Sequence, residues 1–404
     1  MTKLAIIREG KVPPDKRVPF TPEQAAALQE KFPNVKVKVQ SSPIRAYKDE
    51  EYASLGLEVA EDVSDCDVMM GVKEVNIEDL IPNKKYFFFS HTFKKQPYNR
   101  KLLQAIIDKK IQLIDYEVLV NEKGTRVIGF GRYAGIVGCY NGFLTYGLKH
   151  NLYTLKPAHE CDDYAELKEE LKKVKLPANT KIIATGFGRV GRGAKEIIDA
   201  IGIREVDTAS FENDTFDEAV FTQMEAEEYT AREDGAPFDK SAFYKDGSNH
   251  KSTFPRFLGI ADMYIACHYW GAKAPFIFTR EDLKRDDLKL SVVADISCDI
   301  DGPVACTIRP STIADPIYGY NPGSESEGDY MSSDNIAVMA VDNLPCELPK
   351  DASGHFGSVL TEKVMPSLFG NDETGIIERG SQTDLEGNLM PRFAYLEDYL
   401  AGKE

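Results

Sequence analysis

Short apolar runs alternate with amphipathic stretches over the first 130 residues. Residues 4–7 are apolar, and a polar loop follows. Thr21-Pro22-Glu23-Gln24 places a capping Thr, a proline at the first helical position and a Gln at the capping-box position, which predicts a helix to about residue 32. Residues 35–39 alternate apolar and polar, as a half-buried strand does, whereas 67–72 and 86–89 are the continuous apolar runs of buried parallel strands. Helical spacing returns over 99–109, and 111–114 reads as another strand. This alternation predicts a doubly wound α/β domain.

The apolar, glycine-punctuated stretch 135–148 predicts a long helix joining this domain to a second unit. There, 181–185 reads as a strand, 191–201 as a helix, and 263–266, 292–295 and 336–341 as short buried strands. Two segments break the rhythm. Residues 212–256 are long and polar, and read as an insertion carrying a helix or two, because structureless loops of that length are uncommon in compact domains. Residues 319–335, rich in Gly, Ser, Asp and Glu, read as a mobile surface loop and a candidate lid.

A length of 404 residues fits two domains, and 42% hydrophobic with 28% charged residues allows a large core. Asp plus Glu outnumber Lys plus Arg by 65 to 49, so the net charge of −16 disfavours nucleic acid and anionic membrane and favours a small-molecule partner. No apolar run is long enough to cross a bilayer, and the first residues read as a strand rather than a signal peptide; the expectation is a cytoplasmic protein. The seven cysteines show no Cys-x-x-Cys pair, so they read as reduced thiols and no metal site is expected.

The strongest local chemical signal is Gly186-Phe187-Gly188-Arg189-Val190-Gly191, between a predicted strand and a predicted helix. In the dinucleotide fingerprint the first glycine makes the tight turn, the second lets a pyrophosphate approach, and the third lets helix and strand pack closely. Glu212, 21 residues after Gly191 and closing the run 206–211, read as the next strand, is the candidate ribose-binding acid, with Asp207 as the alternative. No Arg follows it closely, which favours NAD over NADP. In the first domain Lys73-Glu74 and His91 fall just past predicted buried strands, at the edge where open α/β sheets bind ligands. Lys and His are also the side chains whose basicity moves most readily into the catalytic range. Arg17 and Arg126 suit either substrate carboxylates or surface salt bridges; Asp295 and Asp299 suit either the nicotinamide side of a cleft or a turn cap.

Taken in order, Arg8-Glu9-Gly10, the string from Arg17 to Pro22, Gly71-Val72-Lys73-Glu74, Phe89-Ser90-His91-Thr92, Gly131 to Gly135, the glycine fingerprint and Asp295 to Asp299 resemble the alanine dehydrogenase and lysine-forming saccharopine dehydrogenase superfamily. Residues 88–92 with Gln96, 130–138, Tyr269-Trp270 and 349–357 are most similar to its lysine-2-oxoglutarate reductase and saccharopine dehydrogenase branch. The resemblance implies two Rossmann-like domains flanking a cleft. Residues 1–139 would form the substrate domain, with 342–404 returning to it, and 140–341 the NAD-binding domain. It implies oxidation of the secondary amine saccharopine with NAD to lysine and 2-oxoglutarate, or the reverse condensation, after closure about a hinge near Gly135 and Val341. Lys73 and His91 would be the acid–base pair tuned by Glu74 and Glu117, Arg17 and Arg126 would hold carboxylates, and Asp299 would sit beside the reacting centre. Segment 212–256 and the acidic loop near Gly323 depart from the simplest lysine-forming members, and the loop is more similar to the reductase branch, which often uses NADP. An alanine-type deamination of a primary amine and a non-catalytic dinucleotide sensor are the competing readings.

Overall fold

A computed structural model of the chain describes residues 1–403, which divide into two compact units, Met1–Phe130 with Pro349–Glu404, and Gly131–Leu348. The first unit is built on six parallel strands: β1 (Thr2–Ile6), β2 (Val35–Gln40), β3 (Glu58–Ala60), β4 (Val68–Met70), β5 (Lys85–Phe88) and β6 (Gln112–Asp115), in the order β3-β2-β1-β4-β5-β6. Helices α1 (Pro22–Lys31), α2 (Asp49–Ser54) and α3 (Arg100–Asp108) lie between strands. The predicted start of α1 is realised in full, since the Thr21 hydroxyl accepts the Gln24 N–H and the Gln24 amide oxygen accepts the Thr21 N–H. The apolar residues of β1, β4, β5 and β6 are buried, and the parallel order requires helical crossovers that cover the sheet.

The second unit opens with α4 (Gly131–Lys149), then α5 (Tyr164–Leu171), β7 (Lys181–Thr185), α6 (Arg189–Ile201), β8 (Arg204–Glu205), α7 (Thr208–Asn213), β9 (Val220–Met224), α8 (Ala226–Tyr229), β10 (Thr230–Arg232), α9 (Lys240–Lys245) and β11 (His250–Ser252). It closes with β12 (Met263–Ala266), β13 (Val292–Asp295), β14 (Ile317–Asn321), β15 (Ser326–Gly328) and β16 (Ile336–Met339). Eight strands form one sheet, β15-β14-β16-β13-β12-β7-β9-β8, in which only β14 runs against the others. β10 and β11 form a separate antiparallel hairpin. Returning to the first unit, α10 (Pro349–Lys363) stacks Phe356 on Phe130 with ring centroids 4.4 Å apart, and Ser381 pairs with Ile114 of β6.

Four expectations change. Residues 206–211 are not a strand: β8 ends at Glu205, and Asp207 caps α7 by accepting the Ser210 N–H at 2.9 Å. Segment 212–256 is not purely an insertion, because it contains β9, which is fully buried and pairs directly with β7. Residues 319–335 hold an edge hairpin rather than a mobile loop, its turn fixed by the Asn321 side chain accepting the Ser324 N–H. Gly135 lies inside α4 rather than in a connecting segment, and there an added Cβ would lie 1.9 Å from the Val190 carbonyl of α6; Gly193 of α6 makes the reciprocal approach, 2.0 Å from the Arg132 carbonyl. No shift of a single side chain relieves a clash with backbone. Gly135→Ala is therefore expected to destabilise the chain by about 3 kcal/mol. A thermal melt should show the midpoint lowered by roughly 10 °C, with surface Gly→Ala changes as controls.

Candidate active site and dinucleotide cradle

In the first unit, the carboxyl ends of β4, β5 and β6 deliver Lys73 and Glu74, His91, and Glu117. Lys73 is half-buried, and among the described residues no hydrogen bond or ion pair engages its ammonium. Burial lowers its pKa from the ordinary lysine value, helped by the positive charges of Arg17 and Lys11 and opposed by Asp15 and Glu74. Its backbone is held from below: Glu9, at the exit of β1, accepts the N–H groups of Val72 at 2.6 Å and Lys73 at 2.8 Å. A cavity of about 100 Å³ beside Lys73 and Glu74 is lined also by Glu9, Arg8, Gln40 and Asn76.

A line of alternating charge runs from here. Lys11 Nζ lies 3.0 Å from Glu74 Oε2, Glu74 Oε1 lies 2.6 Å from His91 Nδ1, and His91 Nε2 lies 3.8 Å from Glu117 Oε2. Glu117 Oε1 in turn meets Lys94 at 2.9 Å and Arg126 at 3.6 Å. Burial pushes the Glu74 carboxyl up, but the His91 hydrogen bond, its own N–H and the charges of His91 and Lys11 outweigh that and leave it at about 2. Glu74 is thus a fixed anion, and Nδ1–H donates to it, which leaves Nε2 as the imidazole nitrogen on the Glu117 side.

His91 itself adopts a left-handed backbone with φ 54°, a conformation non-glycine residues rarely hold without support. The support is Asp115 at the end of β6, which accepts the Ser90 N–H (3.0 Å), the Ser90 hydroxyl (2.5 Å), the Gln382 amide (3.1 Å) and the Glu117 N–H (2.7 Å). Thr92 adds a bond to Gln382 at 2.7 Å. The residues before His91 and at Glu117 are therefore tied together by one buried carboxyl. Sequence reading missed Glu9, Asp115 and Gln382. A charged residue straight after an apolar strand was the signal for the first two, and Gln382 had none.

Arg17 is differently placed from a free carboxylate clamp. It is 3% exposed, paired with Asp15 through two hydrogen bonds (3.0 and 2.6 Å), and lies 4.2 Å over the Phe130 ring. Arg126 is the more open cation, its side chain 38% exposed.

In the second unit the glycine turn joins β7 to α6. Gly186 has φ 94°, its N–H donates to the Met224 carbonyl of β9 at 2.9 Å, and its carbonyl accepts the Gln223 amide at 2.7 Å. A Cβ on Gly191 would fall 2.0 Å from the Gly186 carbonyl, so the turn and the helix touch backbone to backbone; a Cβ on Gly188 would meet nothing within 4 Å. That is the shape a pyrophosphate requires, with a closed turn, an open second glycine, and the first N–H groups of a 13-residue helix. The residues present, including exposed Arg189 and half-buried Val190, fit a dinucleotide.

Glu212 does not stand at a strand end. Glu212 lies on α7, ion-paired with Arg256 at 3.3 Å, and Asp207 is spent as a helix cap. The residue leaving the strand beside β7 is Glu225, after β9; its signal was the Glu225-x-x-Glu228 capping box closing the apolar residues of 220–224. Asp295 is buried at the end of β13 and satisfied by Ser297, Cys298 and Thr307, which makes it a turn cap. Asp299 is partly buried, and burial alone raises its carboxyl. All seven cysteines are free thiols.

Residues 5–137 match the family described as alanine dehydrogenase/PNT, N-terminal domain. The chain is 29% identical over 392 residues to alpha-aminoadipic semialdehyde synthase of Arabidopsis thaliana, a match covering 86% of this chain and 36% of that protein. It is 25% identical over 359 residues to saccharopine dehydrogenase [NAD(+), L-lysine-forming] of Yarrowia lipolytica, covering 82% and 83% of the two chains. The chain spans between about a third and a half of the length of the semialdehyde synthases it matches. A solved L-alanine dehydrogenase superposes with a TM-score of 0.64 at 15% identity over 99% of this chain and 100% of that one, so the α/β fold is shared.

Burial of Glu9, reinforced by the Asp15 charge and opposed by its two backbone N–H partners and Arg17, pushes its carboxyl up from 4.5 to about 8. Between those values the folded chain holds a proton that the unfolded chain has released, so this contribution to stability is present at low pH and lost as the pH rises to about 8. Denaturant unfolding between pH 5 and pH 9 should show a loss on the order of 2 kcal/mol that shrinks in Glu9→Gln. An equal loss in both proteins would remove Glu9 as its source.

Proposed function

We propose that this chain, whose residues 5–137 match the alanine dehydrogenase/PNT N-terminal domain, is a nicotinamide-dependent amino-acid dehydrogenase of the lysine-forming saccharopine type. The reaction is oxidation of saccharopine by NAD and water to lysine and 2-oxoglutarate, or its reverse. The observation that supports it most is the unpaired, half-buried Lys73 beside the Glu74–His91–Glu117 line, because oxidising a secondary amine and hydrolysing the product need two distinct proton carriers.

Lys73, with its basicity lowered by burial, takes the proton from the substrate nitrogen. Bound NAD, held by Gly186, Gly188, Arg189, Val190 and Gly191, supplies the hydride acceptor. His91 Nε2 then takes a proton from the water that adds to the substrate imine and returns it to the departing lysine nitrogen. The imidazolium formed meanwhile lies between the Glu74 and Glu117 carboxylates. Arg126, with Lys94 beside it on Glu117, attracts substrate carboxylates, while Arg17, neutralised by Asp15, would reach a carboxylate only by exchanging that partner. This concentration of cations suits a tricarboxylate better than alanine. Asp299 is assigned to substrate from the second unit.

The test is reduced-nicotinamide absorbance with saccharopine, with lysine plus 2-oxoglutarate, and with alanine as control. Lys73→Met and His91→Gln should each lower kcat by ~10²–10⁴-fold. The oxidative rate should rise with pH as Lys73 loses its proton, with a limb below the ordinary lysine value, and Lys73→Met should abolish that limb. Turnover of alanine alone would move the chain to primary-amine deamination, and full activity in both variants would remove the acid–base assignment.

A further inference from the structure

We infer that Gln382, brought back to the first sheet by the last segment of the chain, is the positioning residue that holds His91 in its reactive orientation. The inference rests on the acid–base reading of His91 and adds to it the part of the chain that keeps the imidazole in place.

β6 is an edge strand of the first sheet, and only the last segment of the chain covers its open side. After a short helix at Ile376–Gly380, Ser381 bridges Ile114 in antiparallel fashion and the Gln382 N–H donates to the Leu113 carbonyl at 2.7 Å. The Thr383 hydroxyl accepts the Leu113 N–H at 3.0 Å and donates to the Ile111 carbonyl at 2.6 Å. On the far side the Gln382 carbonyl accepts the Met390 N–H at 2.9 Å. The Gln382 backbone is thus held on both flanks, and its side chain is fully buried.

That side chain reaches both neighbours of His91. Its amide oxygen accepts the Thr92 hydroxyl at 2.7 Å, and its amide nitrogen donates to the Ser90 hydroxyl at 3.2 Å and to Asp115 Oδ2 at 3.1 Å. The Ser90 hydroxyl in turn donates to Asp115 at 2.5 Å. Every hydroxyl and amide proton of these buried side chains therefore has an acceptor. Turning the amide over would set its oxygen against the Asp115 carboxyl, so one orientation is selected.

His91 stands between Ser90 and Thr92 with φ 54°, in the left-handed region where a side chain is disfavoured. A residue there relaxes toward an ordinary φ unless both its neighbours are fixed. Ser90 is fixed by Asp115 and Gln382, and Thr92 by Gln382 and by its own N–H on the Ser90 hydroxyl at 3.2 Å. Among the described residues, Gln382 is the one side chain outside this turn that bonds to both. The turn so held aims the imidazole, with Nδ1 on Glu74 at 2.6 Å and Nε2 toward Glu117. Asp115 also takes the Glu117 N–H at 2.7 Å, so the same group sets both ends of the approach of His91 to Glu117.

Turnover of saccharopine by the full chain, together with the proton resonance of the His91 Nδ1–H, tests this. In the unaltered protein the bond to the Glu74 carboxylate shifts that proton downfield, and His91→Gln identifies the signal by removing it. Gln382→Met, which keeps the length of the side chain without its donors and acceptor, should lower kcat by roughly 10–10²-fold and weaken or move the Nδ1–H signal. KM for NAD and saccharopine should stay within about twofold. Thr92→Val cuts the bond at the other end while leaving the edge of β6 covered, so it should act in the same direction and carries the test if Gln382→Met does not fold. Thr92→Ser, which keeps the hydroxyl, should recover the signal. In the His91→Gln background Gln382→Met should cost no further activity, because its effect passes through the imidazole. A further loss of about tenfold in that double variant, or an unmoved Nδ1–H signal in both Gln382→Met and Thr92→Val, overturns the assignment. Full activity in His91→Gln removes the acid–base reading instead, and the resonance then still decides whether Gln382 places the ring.

Discussion

Where a parallel sheet is covered on both faces there is no place for a charged side chain except at its strand ends, and the buried central strands of both units obey that constraint. β2, with Lys36 and Lys38 along it, has an open face instead. β7, β9, β12, β13 and β16 are buried along their whole length, as are β4 and most of β5 and β6. Every group with chemical potential therefore collects where strands leave the sheet: Glu9, Lys73, His91 and Glu117 in one unit, the glycine turn, Glu225 and Asp295 in the other. Carboxyl edges become sites because the rest of the sheet excludes polar atoms.

Collecting charge at a buried edge creates a second problem, which the first unit solves with backbone donors. Two carboxyl groups, Glu9 and Asp115, accept N–H groups from the residues that position Lys73, His91 and Glu117, so the same bonds that satisfy a buried acid also aim its neighbours. Asp15 and Arg17 neutralise each other close by. Lys73 is left as the unpaired member of the group, and desolvation lowers its affinity for a proton. In the second unit the corresponding device is close approach: Gly186 and Gly191 touch through backbone, and α4 and α6 do so through Gly135 and Gly193.

Much of this was legible in the chain. The capping box of α1, the glycine turn between strand and helix, and the positions of Lys73, Glu74 and His91 after apolar runs are local signals, and the structure places each of those residues at a strand exit or helix start. β9 escaped because Thr222 and Gln223 interrupt its apolar residues within a polar stretch, and only pairing with β7 shows that these two are interior. Residues 206–211 misled for a different reason: Val206, Ala209 and Phe211 stand where the next strand was expected, but Asp207 offers a side-chain acceptor to the Ser210 N–H, and that local cap starts α7 instead. The polar run 319–335 concealed an edge hairpin, since an edge strand needs no apolar face to be paired.

What the sequence by itself determined is therefore the set of elements with strong local codes, together with the residue types that stand at their ends. What only the tertiary structure decided is adjacency. Whether β8 or β9 neighbours the glycine turn, and hence whether Glu212 or Glu225 stands beside it, depends on strand order, which no local spacing encodes. The partnership of Ser90 and Asp115 with Gln382, more than 260 residues further along, likewise depends on the return of the chain's last segment to the first sheet. Local propensity acts over a few residues through backbone geometry and capping, whereas the environment that makes an acid, a base or a cradle is assembled from strands far apart in the chain.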